Sequence, residues 1–135
     1  MEKFKYVTER ELNCSLRQLY PYLATATGLA QWFADDVKAE DKKNFIIYWN
    51  GSQQRARIVA HRVNHLVRFQ FEKEAAEEER PSYLEFRLSY NEFTESTFVT
   101  ITDYSEMTDP EELDALWTNL MDELREVLGD TQTSA

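Results

Sequence analysis

The sequence predicts an α+β domain in which a curved antiparallel sheet of about six or seven strands wraps around one long C-terminal helix, with two short helices after the first strand. Three observations carry this. Leu113, Trp117, Leu120, Met121, Leu124 and Leu128 recur at three- and four-residue spacing, which gathers an apolar stripe on one helix face. Most segments between Asp36 and Tyr104 instead alternate apolar and polar residues with period two, the signature of one-sided strands. Between the first strand and these segments, Leu16, Leu19 and Leu23 return to helical spacing. The helix stripe needs a cover and a sheet supplies one; a long helix crossing a curved sheet can leave a pocket beneath it.

Each element follows from its local chemistry. Phe4 to Leu12 alternates as a half-buried strand. Ser15 and Gln18 have capping-box spacing and open a helix, which Pro21 is expected to kink or shorten because its ring removes a donor and clashes with the preceding turn. A second short helix is expected to begin at Gly28. Phe45 to Trp49 is a strand closed by Asn50-Gly51, a dipeptide suited to a tight hairpin, and the return strand from about Gln53 to Arg62 places Ala56, Ile58 and Ala60 on one face. Asn64-His65 marks another turn, and Leu66 to Glu72 puts Val67, Phe69 and Phe71 together. Lys73 to Pro81 is charged and poor in large apolar groups, the composition of a mobile loop. Leu84, Phe86, Leu88 and Tyr90 form the inner row of the next strand, and Thr97 to Tyr104 follows with Val99 and Ile101 inside. Asp109-Pro110-Glu111-Glu112 supplies a cap, a proline at the first helical position and acids that complement the helix dipole, and Gly129 ends the helix. Residues 1–129 are expected to form a single domain and 130–135 a frayed tail.

Composition narrows the function classes. With 25 acidic against 15 basic residues, a net charge of −10 repels phosphate backbones and anionic lipid, so neither nucleic acid nor a membrane is an expected partner. No apolar run reaches the length of a membrane span or forms a leader. The single cysteine, Cys14, rules out an internal disulfide and fits a reducing cytoplasm, the expected location. With only three glycines there is no dinucleotide fingerprint or phosphate-cradling loop, and no Ser/His/Asp set is seen. No metal, cofactor or catalytic residue is assigned. His61 and His65 read as solvated on the outer face, and Cys14 as a small core filler. Asp35 and Asp36 read as turn-forming or Arg-paired acids, since adjacent side chains on an extended segment point apart. Arg55 and Arg57 are expected to pair with Glu85 across the sheet.

Several segments carry a family resemblance. Leu16 to Leu23 stands in the place of a first helix, and Gly28-Leu29-Ala30-Gln31-Trp32-Phe33-Ala34-Asp35-Asp36-Val37 carries a leucine, spacer, tryptophan and acidic signature. Leu84 to Leu88 and Ser96 to Asp103 follow as strands, and Leu116-Trp117 as the tryptophan of a closing helix. Over about residues 4 to 128 the chain resembles the START-like and pollen-allergen-like superfamily, most closely the branch named after the activator of the ninety-kilodalton heat-shock chaperone's ATPase. It departs at Lys42-Lys43-Asn44, where the family often has a glycine pair. The resemblance implies the helix-grip fold, with an apolar cavity between sheet and final helix. Members bind lipids, hormones or polyketides, a few catalyse cyclisation or dehydration, and some assist chaperones.

A cavity would be lined by Trp32, Phe33, Trp49, Phe71, Phe86, Trp117, Met121 and Leu124. The first expectation is therefore a small apolar ligand in that cavity. The alternative is a chaperone-associated or other protein-interaction module that holds no ligand and meets a basic partner through its acidic surface. An enzyme of the cyclase or hydrolase kind comes third and requires a polar group inside the cavity.

Overall fold

The computed structural model describes residues 3–72 and 81–129. The run 73–80 of the expected loop and the expected tail 130–135 lie outside the described residues. Seven strands form one antiparallel sheet in the order β1-β7-β6-β5-β4-β3-β2. In the chain these are β1 (Phe4–Leu12), β2 (Asp36–Ala39), β3 (Asn44–Trp49), β4 (Ser52–Arg62), β5 (Leu66–Phe71), β6 (Tyr83–Asn91) and β7 (Ser96–Ser105). Helices α1 (Leu16–Ala24) and α2 (Ala26–Leu29) carry the chain from β1 at one edge to β2 at the other, and α3 (Pro110–Leu128) closes the domain.

The strands turn back where the side chains make it easy. Asn50 and Gly51 both adopt positive φ, 46° and 82°, as a two-residue hairpin turn between Trp49 and Ser52 requires. At 41–44, where no glycine stands, the Asp41 carboxylate accepts the backbone N–H groups of Lys43 and Asn44, each at 2.9 Å, and also the Asn44 side-chain amide. An Asx-type turn thus does the work of a glycine pair, and the backbone N–H of Lys43 is the first cause holding the Asp41 carboxyl below its ordinary pKa. One register shift interrupts the sheet between Ile58 and Ala60. Ala60 therefore pairs with Arg68 and does not continue the inward series of Ala56 and Ile58, as strict alternation predicts; Val59 is the extra residue of a bulge.

Helix α1 starts at Ser15, whose hydroxyl accepts the Gln18 N–H, and runs through Pro21 before ending at Thr25. Thr25 then serves as cap for α2, donating its hydroxyl to the Pro21 carbonyl at 2.7 Å and accepting the Gly28 N–H at 3.0 Å. The second helix accordingly begins at Ala26, two residues before the position the sequence suggested, and Gly28 lies inside it. A Cβ on Gly28 would stand 2.1 Å from the Pro21 carbonyl oxygen and 2.6 Å from the Tyr22 Cα. The absent side chain is what lets α2 fold back onto α1.

Helix α3 is capped by Asp109 and terminated by Gly129 at φ 74°. Leu113, Trp117, Met121 and Leu124 are its buried residues and belong to one core with Val99 and Ile101 of β7 and Phe86 of β6, whose ring meets Trp117 edge-on. Its flank toward β1 is polar. The Tyr6 hydroxyl donates to Asp114 at 2.8 Å, Arg10 donates to Thr118 at 3.0 Å and pairs with Asp114 at 3.1 Å, and Arg125 donates to the Glu11 carbonyl at 3.0 Å.

Gly28→Ala is expected to lower unfolding stability by roughly 1–3 kcal/mol, the range for inserted bulk that forces backbone to move. Urea denaturation of the two proteins measures it; equal midpoints would show that α2 docks without the close approach.

Candidate ligand pocket

The segment after α2 keeps turning. Phe33 N–H donates to the Leu29 carbonyl at 2.9 Å and Gln31 N–H to that of Gly28 at 3.2 Å, which delivers Trp32 and Phe33 into the interior, both nearly fully buried. Each tryptophan ring is then fixed by its indole N–H, a donor that needs a partner when buried. Trp32 donates to the Tyr22 carbonyl at 2.8 Å, Trp49 to the Phe33 carbonyl at 2.9 Å and Trp117 to Asp103 Oδ2 at 2.9 Å. Four rings close a circuit: Trp32 against Phe33 at 5.4 Å, Phe33 stacked on Trp117 at 6.2 Å, Trp117 edge-on to Phe86 at 6.0 Å, and Phe86 edge-on to Trp32 at 5.9 Å. Such pairs contribute about 0.5–1.5 kcal/mol each beyond the area they bury.

Against one side of this circuit lies a pocket of about 670 Å³, in the range that holds a small organic molecule. The sheet contributes Trp49, Gln54, Phe71, Leu84 and Asp103, and α3 contributes Leu116, Trp117 and Leu120. Trp49 and Phe71 are only partly buried although both face inward, because the pocket is what they face. Two of the large apolar side chains left exposed, Met107 at 41% and Leu116 at 39%, also line it. A depression of about 730 Å³ near the start of α1 has a different character: Asn13, Ser15, Arg17, Asn64, His65 and Glu95 outnumber Cys14, Leu16 and Tyr90 in its wall.

The structure brings together five of the eight residues expected in the lining, Trp32, Phe33, Trp49, Phe71 and Trp117. The other three, Phe86, Met121 and Leu124, are fully buried behind them as packed core. The reason is helical geometry. Residues 121 and 124 share the face of Leu113 that the sheet covers, whereas Leu116 and Leu120 lie to one side of it, on the flank that borders the space.

Asp103 is the residue that reading the sequence missed. It is the half-buried carboxylate of the described lining, and burial raises its pKa above the ordinary carboxyl value, while hydrogen bonds from Trp117 and Ser105 oppose that rise. The signal was available: Thr97, Val99 and Ile101 point inward, and Asp103 is next on the same face of β7. Other polar candidates are occupied structurally. Asp35 accepts the Asn50 N–H at 2.7 Å and Asp36 the Val37 N–H at 2.9 Å. Arg55 pairs with Glu40, not with Glu85, since β5 separates its strand from β6. Glu85 instead lies between Arg68 at 3.5 Å and Arg87 at 3.4 Å. Cys14 is half-buried and its carbonyl accepts the Thr97 hydroxyl; His61 and His65 are exposed.

Comparison with known proteins agrees with this geometry. The family model for the START-like superfamily domain matches residues 1–130. The solution structure of the Aha1 dimer from Colwellia psychrerythraea is similar at TM-score 0.76 and 21% identity, over 93% of this chain and 96% of that one. BfR322 from Bacteroides fragilis is 34% identical at TM-score 0.63, over 94% of this chain and 92% of that one. Protein MLL2253 from Mesorhizobium loti shares the fold at TM-score 0.71 and 15% identity, over 96% and 98% of the two chains. No curated protein matches.

Because the folded carboxyl of Asp103 ionises at higher pH than the unfolded one, the folded state holds the extra proton between the two values, and stability falls as pH rises through that window. Asp103→Asn keeps an acceptor for Trp117 and removes the buried charge, so it is expected to be the more stable protein at neutral pH. The advantage should shrink as pH falls toward the ordinary value of 3.8. Urea denaturation across pH measures this, and a constant difference at every pH would refute the assignment.

Proposed function

The chain belongs to the START-like superfamily, and from that premise we propose that it binds a small apolar ligand in the pocket between the sheet and α3. The observation that carries the reading is the state of the walls. Inward-facing Trp49 and Phe71 are left partly uncovered, with Leu116 and Met107 also exposed there, so that four large apolar side chains are gathered on one space, whereas the other exposed ones, Val7, Val59, Val63, Tyr90 and Phe93, lie outside this lining. A ligand of matching size would remove these surfaces from water, each square ångström of apolar area contributing about 25 cal/mol before the cost of association is subtracted. The hydrogen bonds that fix the three indoles support the reading further, because a wall already held in place loses little freedom when a guest arrives.

Among the described residues, no Lys, Arg or His lines the pocket. Arg10, Arg55, Arg68 and Arg87 are each engaged with a carboxylate away from the lining. The ligand enters beside α3, where Leu116 and Met107 meet solvent.

Native mass spectrometry of the protein purified from its own host is expected to release one small molecule per chain. Leu120→Trp fills the lining and is expected to abolish retention while leaving the circular dichroism and melting temperature unchanged. Met121→Trp, placed in packed core, should instead lower stability by about 1–3 kcal/mol. A wild-type protein that arrives empty and takes up no apolar probe would refute the reading, and one that arrives with a second polypeptide in place of a small molecule would favour an interaction module.

A further inference from the structure

We propose that the ligand is an amphipathic cation, an apolar body carrying a protonated amine that meets the carboxylate of Asp103; this rests on the pocket reading above. The charges around the space are all of one sign. Asp103 stands on β7, Asp35 on the connection from α2 to β2, and Glu106 on the connection from β7 to α3. The described residues that β3, β4, β5, β6 and α3 contribute to the lining are Trp49, Gln54, Phe71, Leu84, Leu116, Trp117 and Leu120, together with Ser82 just before β6; none is Lys, Arg or His. A carboxylate or sulfate headgroup would meet three acids and no cationic partner among the described lining residues.

Of the three acids, Asp103 has the geometry of an anchor. Asp35 is committed to the Asn50 backbone in the hairpin turn, and Glu106 lies on the connection out of the sheet. Asp103 instead sits within the sheet, between the floor of aromatic rings and the flank of α3. A carboxylate offers about four acceptor sites, and the donors placed on this one are Trp117 and Ser105, so it can accept a further donor from a guest. Trp117 holds the carboxylate in place on one side, and an aromatic lining of Trp32, Phe33, Trp49, Phe71 and Trp117 suits the apolar body of such a ligand. The penalty of keeping this carboxylate away from water is what an incoming ammonium group relieves. A neutral alcohol could use the same acceptor, but without the charge term.

The test uses the full chain at neutral pH, with the neutral dye N-phenyl-1-naphthylamine as reporter and decylamine, decanol and decanoate as matched competitors. Decylammonium is expected to displace the dye at a concentration roughly tenfold or more below that of decanoate, the worth of one charge-assisted hydrogen bond, with decanol between them. In Asp103→Asn this gap should collapse, while Asp35→Asn should keep most of it. If Asp103→Asn fails to fold, Asp103→Ser takes its place in the same comparison. Equal displacement by the amine and the acid, or a gap that survives loss of Asp103, overturns the amine inference and leaves the pocket reading intact. A wild-type protein that binds no dye at all overturns both.

Discussion

The asymmetric seating of α3 is the constraint on which the rest depends. Successive helical residues advance by about 100°, so the helix has three separate flanks in play. Leu113, Trp117, Met121 and Leu124 form the underside and are fully covered. Asp114, Thr118 and Arg125 lie to one side and are tied to Tyr6, Arg10 and Glu11 of β1. Leu116 and Leu120 lie to the other side and are not tied down. A helix fastened along one edge cannot roll to cover both, and the space is left where the fastening is absent.

Trp117 stands at the boundary between these regimes. Its ring packs into the core against Phe33 and Phe86, yet its N–H reaches out to Asp103 and part of it faces the pocket. A polar residue on an inward strand position is ordinarily costly, and here the cost is offset by two hydrogen bonds and by contact with the open space. The arrangement relies on Gly28 as well. Because α2 can approach α1 so closely, the turn that follows brings Trp32 and Phe33 to the helix from the opposite edge of the sheet.

The architecture was legible because it is written in periodicity and punctuation. Asn50-Gly51, the Asp109-Pro110 start and the Gly129 stop act locally, and local chemistry decided them. Where a neighbour intervened, the reading slipped. Thr25 took the capping role and moved the start of α2 away from Gly28, and a bulge at Val59 changed the side on which Ala60 falls. The pocket was legible in composition but not in position. A wide stripe on α3 announces that the helix is covered, while which margin stays uncovered depends on the β1 contacts, which are long-range and carry no sequence signal of their own. Asp103 fell between the two: its parity with Val99 and Ile101 marks it as inward, but an acid in that row has meaning only once the space beside it is known.

The placement of the three tryptophans has an optical consequence. They are all the tryptophans the chain has, and every one contributes to the wall of the same pocket. The emission of this protein, excited at the red edge where its seven tyrosines do not absorb, is thus a property of one small region, set by three indoles whose orientations are fixed and one of which donates to a titratable carboxylate. The spectrum reports on the interior of the pocket and is nearly blind to the rest of the molecule.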